Sequence, residues 1–245
     1  MIQRLGEALV LRTWPFLEAD LLVSLFTRDQ GRIKGVARHA LRSRRRFGGA
    51  LEPMTYVRAS YAERPRQDLV RLDSFEILSS PLSSPIDYAR TAALQMVAEV
   101  LEQALPEQAA DDPIFRLALS TLAELQVDRV WLPLTYFCLW MNRLMGWMPE
   151  LGHCVACGLA LAGQIAWYSP TTDGVTCYDD RRAGSTALSP AAIEAAIRIF
   201  RSPLAALTAE PWPATRLPDL RRFAIEILER HLEYRLSTAR TLNRL

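Results

Sequence analysis

Residues 19–49 read ADLLVSLFTRDQGRIKGVARHALRSRRRFGG. In an extended chain Leu21, Val23 and Leu25 fall on one side and Leu22 and Phe26 on the other. Asp29-Gln30-Gly31 supplies turn chemistry, and beyond it Ile33 and Ala37 alternate with Lys34, Val36 and Arg38. The stretch therefore reads as two strands joined by a tight turn, followed by a basic loop. Outward from this hairpin the same period of two continues. EALVLRTW (7–14) precedes it, while MTYVRASYAE (54–63) and DLVRLDSFEIL (68–78) follow, with Arg64-Pro65 marking the loop between them. Five short strands within about 80 residues predict a small closed β-barrel. An OB-fold is one such solution, and its open face commonly binds single-stranded nucleic acid.

The loop after the third strand gathers charge. Between Asp29 and Glu52 there is no acid, yet the window holds Arg32, Lys34, Arg38, Arg42, Arg44, Arg45 and Arg46. The chain as a whole carries a net charge of only +2. Residues 1–80 hold 14 cations against 9 acids, and residues 81–245 hold 15 against 18, so the basic character belongs to the first third. A run of this kind can be a solvated face. Cations without interleaved acids repel one another unless an anion neutralises them, and Gly48-Gly49 allows the loop to bend along a ligand. An extended anion suits this pattern better than a small acid. No G-x-x-x-x-G-K-[ST] is present, which argues against a P-loop ATPase.

After SSPLSSP (79–85) the period changes to about 3.6. Ser84 before Pro85 predicts a helix start, and Ala89, Ala93, Val97, Val100, Leu101 and Ala104 form its stripe. Further helices are predicted over 114–126, 134–146, 190–201 (capped by Ser189 before Pro190) and 217–238. On the last, Arg221, Arg222 and Arg230 lie beside the apolar face. The most apolar segment, VWLPLTYFCLWMNRLMGWMP (130–149), is long enough to suggest a membrane span. Pro133 and the Asn142-Arg143 pair within it favour a buried helix instead. The N-terminus lacks the apolar core of a secretory signal. Four cysteines are too few for a secreted disulfide scaffold, so a reducing cytoplasm is expected.

The insert 151–186 holds HCVACG (153–158) and DGVTCYDD (173–180). Cys154-x-x-Cys157 is half of a zinc knuckle. Cys177 with Asp180 repeats the spacing, and zinc accepts carboxylate oxygen as a fourth ligand. His153 is an alternative fourth donor, and three reduced cysteines without metal are the plain alternative. A catalytic metal is not indicated. The H-x-E needed by nucleic-acid deaminases occurs only as His231-Leu232-Glu233, after the cysteines and within a predicted helix. H-E-x-x-H and G-x-S-x-G are absent, and Cys138 sits among aromatic residues as a packed thiol would. The pattern is that of a binder and not an enzyme.

Together these residues resemble the bacterial RecO family of DNA repair and recombination mediators. The match is densest over residues 7–54, at Glu18, Leu21, Phe26-Thr27, Gly31-Arg32, Ala37-Arg38, Arg42-Ser43 and Leu51-Glu52-Pro53. LMGWMPELGHCVACG (144–158) and YRLSTARTL (234–242) extend it across the second half. The resemblance implies an α+β fold: an N-terminal OB-fold DNA-binding domain over 1–80, then an α-helical domain over 81–245 carrying the zinc-finger-like insert 151–186. It implies binding of single- and double-stranded DNA and annealing of complementary strands. The implied partners are RecR and the C-terminal tail of single-strand binding protein, with RecA assisted indirectly. The implied location is the cytoplasm, at the nucleoid, with no membrane association. Phosphate contacts would then fall to the seven cations, with Tyr56 and Tyr61 either stacking bases or packing in the barrel. Structural zinc would fall to Cys154, Cys157, Cys177 and Asp180. Two positions depart from the family pattern: His39 stands where many relatives have glycine, and Asp180 where many have cysteine. A zinc-ribbon regulator that reads duplex DNA is the alternative reading.

Overall fold

The computed structural model describes residues 1–64, 67–83, 85, 87–127, 129–210 and 217–242, with every side chain of these except that of Arg44. The alternating runs form strands β1 (Ile2–Pro15), β2 (Leu21–Thr27), β3 (Gly31–Ala37), β4 (Tyr56–Glu63) and β5 (Leu69–Ser79). They close into a barrel in the order β1-β2-β3-β5-β4. β1 makes closure possible because it is long enough to serve two partners: Ile2–Leu9 pairs with β4 and Ala8–Pro15 with β2, across a bulge between Val10 and Arg12. All pairings are antiparallel except the short parallel one between Lys34–Ala37 and Leu69–Leu72. Of the two sides the alternation separates, that of Val23, Leu25, Ile33 and Ala37 lies in the barrel core alongside Val10, Val57, Tyr61 and Leu72.

The loop between β3 and β4 is more ordered than its composition predicts. A 3-10 turn (Ala40–Arg42) leads into the one-turn helix α1 (Arg44–Phe47). Phe47, 1% exposed, plugs the barrel and meets Phe75 edge-on at 5.4 Å. Gly31 shows why the hairpin turn carries glycine. Its φ is +70°, and a Cβ there would lie 2.0 Å from the Ala109 carbonyl oxygen. The segment around Ala109 therefore lies directly on the turn, with Gln108 N–H donating to Arg32 O at 2.9 Å.

The fold is α+β, an OB-fold barrel followed by helices and a small cysteine-containing insert. Helix α2 (Tyr88–Ala104) starts with Asp87 as N-cap, its carboxylate accepting from Arg90 N–H. Ser84, the expected cap, lies outside the described residues, and Pro85 precedes the helix. Next come α3 (Asp112–Glu124) and α4 (Trp131–Leu144), then strands β6 (Ala166–Tyr168), β7 (Val175–Thr176) and β8 (Thr186–Leu188) in the order β7-β6-β8. α5 (Pro190–Arg201) follows, with Ser189 Oγ accepting from Ala192 N–H as the Ser-Pro signal predicts. α6 (Leu204–Thr208), α7 (Pro218–Leu232) and α8 (Ser237–Leu242) complete the order. The helix expected over 217–238 is thus two helices. Glu233, at φ 51°, takes the left-handed conformation that terminates α7.

The chain falls into two compact units that differ from the change of period near residue 80. One is Met1–Leu122 joined by the segment from Leu236 onward, and the other is Ala123–Arg235. In the first, Glu99 on α2 fastens α8. Its Oε1 accepts from Ser237 N–H (2.9 Å) and Oγ (2.8 Å), and its Oε2 from Thr238 N–H (3.1 Å) and Oγ1 (2.6 Å). In the second, Asn142 on α4 is fully buried and donates to Cys138 O and to Ala224 O on α7. This polar clasp explains an Asn within the most apolar segment. Among the described residues no helix is long and apolar enough to cross a membrane.

Candidate nucleic-acid and metal sites

Strand β3 sorts its cations by position. Arg32 and Lys34 point out of the barrel near its start, where acids distant in sequence meet them. Arg32 Nη1 lies 3.2 Å from both Glu102 and Glu107, its Nε donates to Leu105 O at 2.9 Å, and Lys34 Nζ lies 3.0 Å from Glu107. Arg32 and Glu102 are largely buried, with side chains 13% and 9% exposed. Hydrogen bonding from Lys34 is the largest influence on Glu107 and helps hold its carboxyl below the ordinary range. Both cations are thus ion-paired within the fold.

Beyond the end of β3 the situation reverses. Arg38, Arg42 and Arg45 are exposed and, among the described residues, make no ion pair. Arg46 is internal to the segment: its Nε donates to Ser43 Oγ (3.1 Å), its Nη2 to Arg38 O (2.7 Å), and its guanidinium lies 5.2 Å from the Phe47 ring centroid. The Arg44 side chain lies outside the described residues. His39 adopts φ 51° and ψ 29°, in the left-handed region that favours glycine. Its N–H donates to Asp20 Oδ1 at 2.7 Å. The loop thus holds a glycine-type turn with a histidine.

The two tyrosines considered for stacking are used for packing. Tyr61, 3% exposed, belongs to the barrel core, and burial pushes its hydroxyl pKa up. Tyr56 meets Phe115 at 6.3 Å and hydrogen bonds Glu7. An exposed aromatic of the barrel is Phe16, beside Leu17 in the β1–β2 turn. Its signal in the sequence is an apolar pair placed between a strand-ending proline and a turn acid. Of the α7 arginines, Arg230 donates to Asp173 and to Thr172 O (3.0 Å) and Arg221 lies 4.2 Å from the Trp131 ring centroid, while Arg222 is exposed.

The insert brings four donors together. The ligand atoms of Cys154, Cys157, Cys177 and Asp180 all lie within 4.8 Å of one another. Cys154 and Cys157 share a knuckle in which Gly158, at φ +76°, donates its N–H to Cys154 O at 2.9 Å. Val155 N–H donates to Val175 O, tying the knuckle to β7 two residues before Cys177. Asp180 Oδ2 lies 3.2 Å from both Cys154 Sγ and Cys177 Sγ, and Cys157 Sγ lies 3.8 Å from Cys177 Sγ. Tetrahedral zinc, with Zn–S about 2.3 Å and Zn–O about 2.0 Å, requires separations of about 3.8 Å between sulfurs and about 3.5 Å between sulfur and oxygen. The donor set fits. Thiol donation, from Cys157 above all and then Cys177 and Cys154, holds the Asp180 carboxyl below its ordinary range. The same contact pushes the Cys157 thiol up to about 12. His153 is absent from the cluster: its Nδ1 lies 3.0 Å from Glu150 Oε1 at an exposed site. Cys138 is fully buried, and burial pushes its thiol up to about 12, as suits a packed core residue.

The profile described as recombination protein O N terminal matches residues 1–81, and that described as recombination protein O C terminal matches residues 86–239. The chain belongs to the RecO family. The DNA repair protein RecO of Koribacter versatilis (strain Ellin345) is 52% identical over 240 residues, covering 98% of each chain. That of Anaeromyxobacter sp. (strain Fw109-5) is 34% identical over 250 residues, covering 99% of this chain and 97% of the relative. Full-length similarity to DNA repair proteins supports a function in DNA repair and recombination for this family member. The four clustered donors could bind a metal.

Proposed function

We propose that the chain is a recombination mediator that binds single- and double-stranded DNA, anneals complementary strands and, with RecR, helps RecA onto single strands coated by single-strand binding protein. Residues 1–80 are the DNA-binding domain and residues 81–245 the helical domain. Within the latter, residues 151–186 are an insert folded around zinc on Cys154, Cys157, Cys177 and Asp180. The tail of single-strand binding protein docks on the helical domain. The protein acts in the cytoplasm, at the nucleoid.

One observation carries the reading: the sorting of cations along β3 and the loop beyond it. Arg32 and Lys34 are neutralised by Glu102 and Glu107, whereas Arg38, Arg42 and Arg45 are exposed and make no ion pair among the described residues. Cations held apart from acids on an ordered support suit phosphates, which they bind without regard to sequence. Annealing then needs no nucleophile. Neutralising two backbones lets complementary strands approach, and base pairing drives the product. Zinc supplies no chemistry in this scheme; it fixes the fold of the insert.

Annealing of complementary oligonucleotides, with and without single-strand binding protein, tests the proposal. Faster annealing of unrelated sequence pairs, retained on coated strands, is the expected result. A rate equal to that of the uncatalysed strands, with tight binding to one duplex sequence, would overturn it in favour of a duplex-reading regulator.

A further inference from the structure

The β1–β2 turn exposes two neighbouring apolar side chains, Phe16 at 46% and Leu17 at 66%. The turn is ordered despite this exposure. Phe16 N–H donates to Asp20 O (3.1 Å), and Asp20 N–H donates to Leu17 O (3.2 Å). It is also bonded to the arginine segment: Asp20 Oδ1 accepts from His39 N–H, and Ala19 O accepts from Leu41 N–H at 3.2 Å. An aromatic ring is thus exposed on a hydrogen-bonded turn that shares its anchor with the arginine segment.

Phe16 and Leu17 line one side of a groove of about 400 Å³. Val36 and Arg38 of β3, and Arg64 and Leu69 at the β4–β5 connection, line the rest with their neighbours. Arg38 and Arg64 make no ion pair among the described residues, whereas Arg71, also at the groove, is held by Asp73 at 2.8 Å. Two acids line it as well. Asp20 is engaged by the His39 N–H, and Asp68 makes no ion pair among the described residues. Among the described residues the groove therefore combines apolar side chains and the Phe16 ring with the guanidinium groups of Arg38 and Arg64. Its place between the first hairpin turn and the β4–β5 loop is where OB-folds commonly take oligonucleotides.

We propose that Phe16 is a base-stacking platform: an unpaired base lies on its ring while the adjoining phosphates meet Arg38 and Arg64. This rests on the DNA-binding reading above and adds to it a residue that distinguishes single strands from duplex. A base within a duplex already has both faces stacked, so only an unpaired base can use the ring. A strand suits the site better than an acidic peptide because exposed arginines follow Arg38 along the chain at Arg42 and Arg45. Strand addition by a peptide is unavailable at the groove, since β3 and β5 pair there along Lys34–Ala37.

The test compares the full-length protein with Phe16→Ala and Phe16→Tyr on three probes of equal charge: a single-stranded oligonucleotide, a duplex, and a strand of abasic sites. Phe16→Ala should weaken binding of the single strand about tenfold. It should leave duplex and abasic binding, the salt slope and the melting temperature unchanged, and Phe16→Tyr should restore single-strand affinity. If Phe16→Ala binds the single strand like the parent, the stacking role is overturned while the DNA-binding reading survives. Equal weakening on all three probes also overturns it, because the ring would then only support the loop. If the variant keeps its DNA affinity but loses an acidic, aromatic-ended peptide, the groove is a protein-docking surface instead. Failure of the parent to bind any probe removes the DNA-binding reading and this inference with it.

Discussion

Replacing Arg38, Arg42 and Arg45 together by Ala should flatten the salt dependence of DNA binding, whereas replacing Arg32 should lower stability. For single strands each phosphate contact contributes about 0.7 to the slope of log K against log salt, so three contacts account for about 2.1. Between 50 and 200 mM salt the parent's advantage over the triple variant should then shrink by roughly 20-fold. For duplex, at about 0.9 per contact, the change in slope should be about 2.7. The three side chains are exposed and make no ion pair among the described residues, so stability should shift by less than about 1 kcal/mol. Arg32→Ala removes a guanidinium that bonds Glu102, Glu107 and the Leu105 carbonyl, leaving the 9% exposed Glu102 carboxylate without it. That should cost about 3 kcal/mol with no change of slope. Fluorescence anisotropy titrations at four salt concentrations, together with urea unfolding, measure both quantities. Equal slopes for the parent and the triple variant, or a slope change in Arg32→Ala as large as that of the triple, would refute the reasoning.

Elemental analysis of the purified protein should give about one zinc per chain; Asp180→Ala should weaken its retention, and Cys138→Ser should not. Because three thiols must shed protons to ligate, zinc retention should fall as pH is lowered, which a chromogenic chelator can follow. Glu99→Ala should destabilise the first unit by about 2 kcal/mol. Burial of Glu99 opposes ionisation, but donors from Thr238 and Ser237 outweigh it and hold the carboxyl below its ordinary range. Its contribution is therefore present above the unfolded-state pKa and lost as pH falls through the lowered folded value. Hydrogen exchange over 237–242, measured across pH, should show it. Gly31→Ala places a Cβ against the Ala109 carbonyl at positive φ and should cost about 3 kcal/mol or more in urea unfolding.

The barrel was legible because its information is local: alternation sets which side chains face inward, and Asp29-Gln30-Gly31 sets the first turn. The Ser189-Pro190 cap and the Cys154-x-x-Cys157 with Cys177-x-x-Asp180 spacing were legible for the same reason. The partners of Arg32 and Lys34 were not, since Glu102 and Glu107 lie some 70 residues along the chain and only the fold brings them near. The one-turn helix α1 hides in an arginine run whose composition suggests an irregular loop, and Phe47 reveals it only by filling the barrel. The end of α7 at Glu233 carries no glycine to announce it. Phe16 has only the faint signal of an apolar pair between a proline and a turn acid, because exposure, which gives an aromatic its interest, is invisible in a list of residue types.

Because the segment from Leu236 onward belongs with residues 1–122 and not with the unit that precedes it, the first unit is discontinuous along the chain. During synthesis the barrel strands leave the ribosome first, but α8 and its clasp on Glu99 follow only after the whole of residues 123–235. A nascent chain thus carries an incomplete barrel unit, with Glu99 lacking its hydroxyl donors, until translation has passed residue 238. A frameshift or premature stop between residues 235 and 237 would remove none of the barrel strands or metal donors. It would nonetheless weaken the part of the protein that was made first.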